Sequence, residues 1–546
     1  MPYAKSLYRI VALGQLFSDM LSQYTIADLA VFIVYAMLLG ITGYWFNRKA
    51  NSGNDYFLGG NAMPMWVVAI SVLATSQSAA TFLGGPDQGY RGDLTYLASN
   101  LGAIIAALCV SYVLIPRFYH ANVYTVYELL EQRFGSGAKQ KAGALYLFGR
   151  LLASGARLYM AALAVSMILF GNIATSSVIS ATVLIALCGL LYTVYGGIRS
   201  VIYSDAVQCF VYVSAAIGVI TWLLMSMPAS FEQIVDALQN PAPGATSKLT
   251  LFDWRLDFSS AGVFNMWSVF TGFVLLNIAA FGLDQDMTQR VLTCKNAKEG
   301  SKAMLLSVFL VIPVMALFIF IGLLLFVYYE RPDLMMSTAD GTPVPTFAGE
   351  TVTIFMYYVL TDIPSGLKAW VTIGIIAAAL STLNSGLNSM ASVIVKDFVQ
   401  PMLSTTPDER TAVRQGQWAM MIVAILLALV ACLCFYWQQY TEMPLLQFAL
   451  SVMVFSYSGL LGVYITALFT QRGSARSISA ALIVGFLVPL ALQPYVMSMW
   501  IPTDSITSIG FTWQLLIGTV ASTLVCLAGK SDDAKRIVAD TKQTVS

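Results

Sequence analysis

Histidine is all but missing from this chain: His120 stands alone in 546 residues, and charged side chains make up only 10 % of the total. A metal centre or a histidine-based catalytic pair therefore has almost nothing to be built from. No HExxH or GxSxG motif stands in for one, so no enzyme activity is expected. The charges that exist nearly cancel, 29 Lys and Arg against 28 Asp and Glu, which leaves no basic surplus for nucleic acid. Seven cysteines are scattered through apolar runs without a CxxC pair. They read as packing residues, with no cofactor, metal framework or disulfide scaffold implied.

What is abundant is apolar surface, with 58 % hydrophobic residues and a mean hydropathy of +0.73. Because a spanning helix needs roughly 20 mainly apolar residues, about thirteen stretches qualify. They are 25–47, 64–88, 95–116, 141–170, 174–197, 202–226, 262–286, 303–329, 367–398, 411–436, 443–469, 476–494 and 510–528. The sequence thus predicts an all-α polytopic membrane protein in contact with the lipid bilayer. The first stretch lacks a small-residue cleavage site and reads as a retained helix, preceded by an extension (1–24) that suits an interfacial helix. Lys and Arg crowd one set of alternate loops, among them Arg117, Arg133, Lys139, Arg290, Lys295, Lys298 and Lys302. That side is expected to be cytoplasmic, which puts the N-terminus outside and the C-terminus inside. Residues 227–261 and 330–366 read as external loops, and the polar tail after Cys526 is too short for a soluble domain.

Polar groups inside spans are costly, so their clusters mark candidate sites. In 64–88, Thr75, Ser76, Gln77, Ser78 and Thr81 precede Gly84, Gly85 and Pro86, a helix that is easily unwound to free backbone carbonyls. In 367–398, Ser381, Thr382, Asn384, Ser385, Asn388 and Ser389 crowd two turns. Ser381, Ser385 and Ser389 recur every fourth residue and share one face. Hydroxyl and carbonyl oxygens are hard ligands that suit sodium, although small hydroxyl residues also serve simply to let helices pack closely. Arg150 and Arg157 lie two turns apart within 141–170, with Arg157 about 24 Å along the axis from Lys141, past mid-membrane. A guanidinium there suits a carboxylated solute or, alternatively, a structural role bonded to helix carbonyls. Asp205 reads either as a helix N-cap or as a cation ligand on an exit path.

DYFLGG at 55–60, TVYELLEQRF at 125–134, YGGIRSVIYSDAVQ at 195–208, QDMTQR at 285–290 and LSTLNSGLNS at 380–389 resemble, in order, the recurring motifs of the sodium:solute symporter family. The resemblance implies an inverted five-helix repeat (LeuT-like) core working by alternating access. The repeats would span 64–226 and 262–470, with 25–63 as an added first helix and 471–546 as two further helices and a cytoplasmic tail. It implies a sodium held by Ala74, Gln77, Ala378, Ser381 and Thr382, and a second sodium near Asp205 and Ser385, although Asn384 replaces a serine of the sialic-acid members. For the solute it implies Ser76, Ser78, Thr81, Tyr96, Asn100 and Arg157, most like the bacterial sodium/sialic acid symporters, and Asn277, where the chain resembles the galactose-type members. A neutral hexose is less favoured, because no lysine lies between Lys302 and Arg331. Proline, a monocarboxylate, pantothenate or a sugar remain as solutes, and a transporter-like sensor as a different class. The protein is expected to work as a monomer in a bacterial inner membrane, with sodium as coupling ion.

Overall fold

A computed structural model describes residues 25–46, 52–194, 196–335, 346–347, 350–403, 407–438, 445–499 and 508–529. The proposed interfacial helix before residue 25 and the tail after 529 lie outside them. In chain order the helices are α1 (Ile26–Phe46), α2 (Gly53–Leu58), α3 (Met65–Ser76), α4 (Ala79–Arg91), α5 (Thr95–Ala121), α6 (Glu128–Phe134), α7 (Ser136–Phe170), α8 (Thr175–Thr193), α9 (Gly197–Ser226) and α10 (Phe231–Gln239). They continue with α11 (Met266–Leu283), α12 (Gln285–Leu292), α13 (Ala297–Glu330), α14 (Ile354–Thr361), α15 (Leu367–Met402), α16 (Glu409–Gln438), α17 (Leu445–Phe469), α18 (Ala475–Ala491) and α19 (Phe511–Ala528). A two-stranded antiparallel ribbon pairs Thr346–Phe347 with Glu350–Thr351.

Each expected span holds a helix, yet only 9 helices among the described residues are long and apolar enough to cross a membrane unaided. Three others are shorter apolar helices, Ile26–Ile41, Thr175–Leu191 and Ala475–Ala491. The remaining span, 64–88, is two helices rather than one. Lipid as solvent explains why helices dominate: with no water to satisfy a backbone amide, only an internally bonded segment can cross. Burial sorts the helices into layers. The most apolar windows of α15 and α17 are 89 % buried, whereas those of α9 and α16 are 39 % buried. Exposed Phe210, Trp222, Trp418, Ile425 and Leu433 lie on the latter two, as a lipid-facing surface requires.

The centre is α15, packed on α7, α9 and α3. Close approach is set by glycine: a Cβ on Gly322 of α13 would lie 1.9 Å from the Pro86 carbonyl oxygen, and one on Gly89 of α4 would lie 2.2 Å from that of Ile319. Small residues let α4 and α13 touch backbone to backbone. The loop joining α9 to α11 is clasped by Lys248, whose Nζ donates to the carbonyls of Tyr90 (2.6 Å) and Gly92 (2.9 Å) and lies 4.2 Å over the Phe326 ring. Burial of that ammonium pulls its pKa down to about 8.

Candidate ion and solute site

The helix expected over 64–88 breaks at Gln77–Ser78, not at the Gly84–Pro86 stretch. Gln77 (φ −92, ψ 103) and Ser78 (φ −103, ψ 176) are extended, and the last helical bond of α3 runs from the Gln77 N–H to the Leu73 carbonyl. A helix end leaves its last carbonyls without helical partners, and here the last turn includes Ala74. Gly84, Gly85 and Pro86 stay helical because they are packing residues, with Gly85 against Phe318. The buried Gln77 Oε1 makes no hydrogen bond within the described residues.

Facing the break is the hydroxyl face of α15. Thr75 Oγ1 and Ser385 Oγ are 3.1 Å apart, and both Ser71 Oγ (2.5 Å) and Ser381 Oγ (2.7 Å) donate to the Asp205 carboxylate. Thr382 Oγ1 donates to the Ala378 carbonyl at 3.2 Å. Ala74, Gln77, Ala378, Ser381 and Thr382 are all buried. The two stretches of chain on which an oxygen cage depends are therefore neighbours inside the bundle.

Asp205 is not a helix cap: α9 begins at Gly197, two turns earlier, and the carboxylate is fully buried. Its partner is Arg290, whose Nη2 donates to Asp205 Oδ2 (3.1 Å) and to Ser385 Oγ, while Nε donates to Ser71 Oγ (2.9 Å). Arg290 Nη1 bonds the Asp286 carboxylate at 2.8 Å. Asp286 also pairs with Arg150, and Arg150 with Asp284 at 3.0 Å. Tyr457 donates to Asp284 at 2.6 Å. A widened last turn of α11, in which the Asp284 N–H reaches back to the Ala279 carbonyl, sets Asp284 at the start of α12, where it caps the Asp286 N–H. Sequence reasoning singled out QDMTQR but missed this network. Its available signal was the Asp286–Arg290 spacing of one helical turn.

Arg150 and Arg157 have unlike surroundings. Arg157 makes no ion pair among the described residues; its Nη2 lies 3.3 Å from Met453 Sδ, and part of its surface stays open. It lies within electrostatic reach of Tyr96, Tyr457, Arg150, Asp284 and Asp286. Tyr96 packs its ring 4.8 Å from Phe264. The other expected solute residues are spread around this region without direct bonds to Arg157. Ser76 donates to the Leu73 carbonyl, and Ser78 and Thr81 are buried at the start of α4. The Asn100 amide turns to the Leu97 carbonyl and Met315, and that of Asn277 to the Phe273 carbonyl.

Comparison with known proteins gives a consistent answer. The sodium/sialic acid symporter SiaT of Proteus mirabilis is 25 % identical, over 85 % of this chain and 90 % of its own. A sodium/glucose cotransporter of Vibrio parahaemolyticus is 27 % identical over 93 % and 92 %. The solved outward-open, substrate-bound structure of a Na+-coupled sialic acid symporter shares the fold, with a TM-score of 0.76, 22 % identity and coverage of 94 % of this chain and 99 % of that one. The sodium:solute symporter family matches residues 56–485. The chain therefore belongs to the sodium:solute symporter family, and it is a multi-pass membrane transporter, not an enzyme, that couples a small solute to sodium.

Proposed function

We propose that the solute is a carboxylated sugar of the sialic acid type, N-acetylneuraminate being the first to test. The observation that carries this reading is Arg157, a guanidinium deep in the bundle with no carboxylate partner among the described residues. A buried guanidinium with no directly bonded carboxylate is costly, and a solute carboxylate answers it with bidentate geometry. Tyr96, Asn100, Ser76, Ser78, Thr81 and Asn277 would line the remaining surface. Sodium would sit between the released carbonyls of Ala74 and Gln77 and the Ala378, Ser381 and Thr382 oxygens of α15. Sodium binding at the break would favour the state able to take solute, which is the differential affinity that coupling requires.

The two repeats, 64–226 and 262–470, would rock about this site. The Lys and Arg bias supports a cytoplasmic C-terminus in a bacterial inner membrane, with the Lys248 loop outside and a monomer as working unit. The test is uptake of labelled N-acetylneuraminate into proteoliposomes. An inward sodium gradient should drive it and a potassium gradient should not; equal uptake in both would end the reading. A neutral hexose is the second reading, favoured by the glucose cotransporter relative. Competition by excess glucose, with none by sialic acid, would select it.

A further inference from the structure

The family resemblance leaves room for a second sodium near Asp205 and Ser385, and those oxygens already bond a guanidinium. The Arg290 guanidinium reaches Asp205 Oδ2 (3.1 Å), Ser71 Oγ (2.9 Å) and Ser385 Oγ, and all four residues are fully buried. Asp205 Oδ1 is taken by the Ser381 hydroxyl at 2.7 Å. A guanidinium places fixed N–H donors where a sodium ion would need lone pairs. We propose that Arg290 is the resident cation of the Asp205 oxygen set, and that this transporter therefore moves one sodium per solute.

Two further observations point the same way. Asn384, one residue before Ser385, turns its carboxamide toward α8, where a Cβ on Gly189 would lie 2.9 Å from Asn384 Oδ1. Asp205's hydrogen-bond partners among the described residues are Ser71, Ser381 and Arg290, and Asn384 is not one of them. The charge balance of the buried network also asks for no second ion beside Asp205. Three carboxylates, Asp205, Asp284 and Asp286, already face three guanidiniums, Arg150 and Arg290 through ion pairs and Arg157 within electrostatic reach of Asp284 and Asp286. The one coupling ion would sit beside Ser381, one hydroxyl away from Asp205. The bond from Ser381 to Asp205 gives the ion a path to this network: sodium at Ser381 strengthens the hydroxyl as a donor, and the carboxylate passes that change to Arg290 and so to α12.

This inference rests on sodium-driven uptake, and one experiment separates the two. Proteoliposomes with the membrane potential clamped at zero receive an inward sodium gradient, and the solute accumulation ratio is read at steady state. One coupled sodium lets a tenfold gradient sustain about tenfold accumulation, and two sustain about hundredfold, since each tenfold ratio carries the same free energy. The expected result is tenfold. Hundredfold accumulation overturns the resident-cation proposal alone, whereas accumulation indifferent to sodium overturns the transport reading. In Arg290→Gln the vacated oxygens should admit a second ion and make sodium activation of uptake sigmoidal. An active Arg290→Gln protein with a wild-type, hyperbolic sodium curve contradicts the proposal. If Arg290→Gln fails to fold, Arg290→Lys should keep the tenfold ratio, and the wild-type ratio decides by itself.

Discussion

Of two arginines two turns apart on α7, Arg150 is tied into the fold and Arg157 is the one proposed to meet the solute. Arg150 is enclosed by Asp284 and Asp286 and cannot be spared by the fold, since removing one partner of a buried pair strands a charge. Asp286→Ala should therefore lower stability by about 3–5 kcal/mol, seen as a clear drop in the thermal midpoint of the purified protein; an unchanged midpoint would contradict the network. Arg157 has no such tie, so Arg157→Ala should fold with little loss and bind acidic solutes at least about tenfold more weakly, a difference of about 1.4 kcal/mol or more. A solute titration followed by intrinsic fluorescence measures this, and wild-type affinity would make Arg157 structural. Sequence made the depth of both arginines legible because an ionisable residue in an apolar run stands out. It could not tell them apart, because Asp284 lies 134 residues from Arg150 and only the fold brings them together.

At the scale of elements, the broken helix was readable as a polar cluster but not at its breaking point. Gly84, Gly85 and Pro86 looked like the weak place; packing against α13 turned them into a contact surface, and the extended residues are Gln77 and Ser78. Helix propensity describes an isolated segment, while close approach of a neighbour is decided by the tertiary fold. Gly322→Val should accordingly cost roughly 1–3 kcal/mol or more by overpacking, whereas Gly137→Ala on α7, with nothing within 4 Å of the added carbon, should be neutral or slightly stabilising. Parallel melting curves check both, and equal midpoints for the two variants would deny the α4–α13 contact. The Lys248 clasp was likewise hidden in a loop. Its ammonium loses its proton near pH 8 in the folded protein and only near 10.5 in the unfolded chain, so between those values the unfolded chain binds more protons and stability rises with pH. Wild type should gain on Lys248→Met as pH climbs from 7 to about 9.5. A difference in midpoint that stays flat would show Lys248 to be unperturbed.

For the whole molecule, apolar run length predicted where helices lie, because lipid imposes one rule on every span. Inter-helix geometry has no such local signature. Ser381 and Ser385 announced a polar face, while Asp205 looked like a cap and became the centre of a buried network only once α3, α9, α12 and α15 met. On the proposed reading coupling would follow from that meeting, because a sodium ion joining the end of α3 to α15 would favour one arrangement of the proposed repeats over the other. Binding of radiolabelled sodium to purified protein reads this directly, with Thr382→Ala as the sharpest variant, since among the described residues its hydroxyl bonds only the Ala378 carbonyl. Wild type should bind sodium saturably and Thr382→Ala at least about tenfold more weakly; undiminished binding in Thr382→Ala and in Ser381→Ala would mean that the ion is held elsewhere.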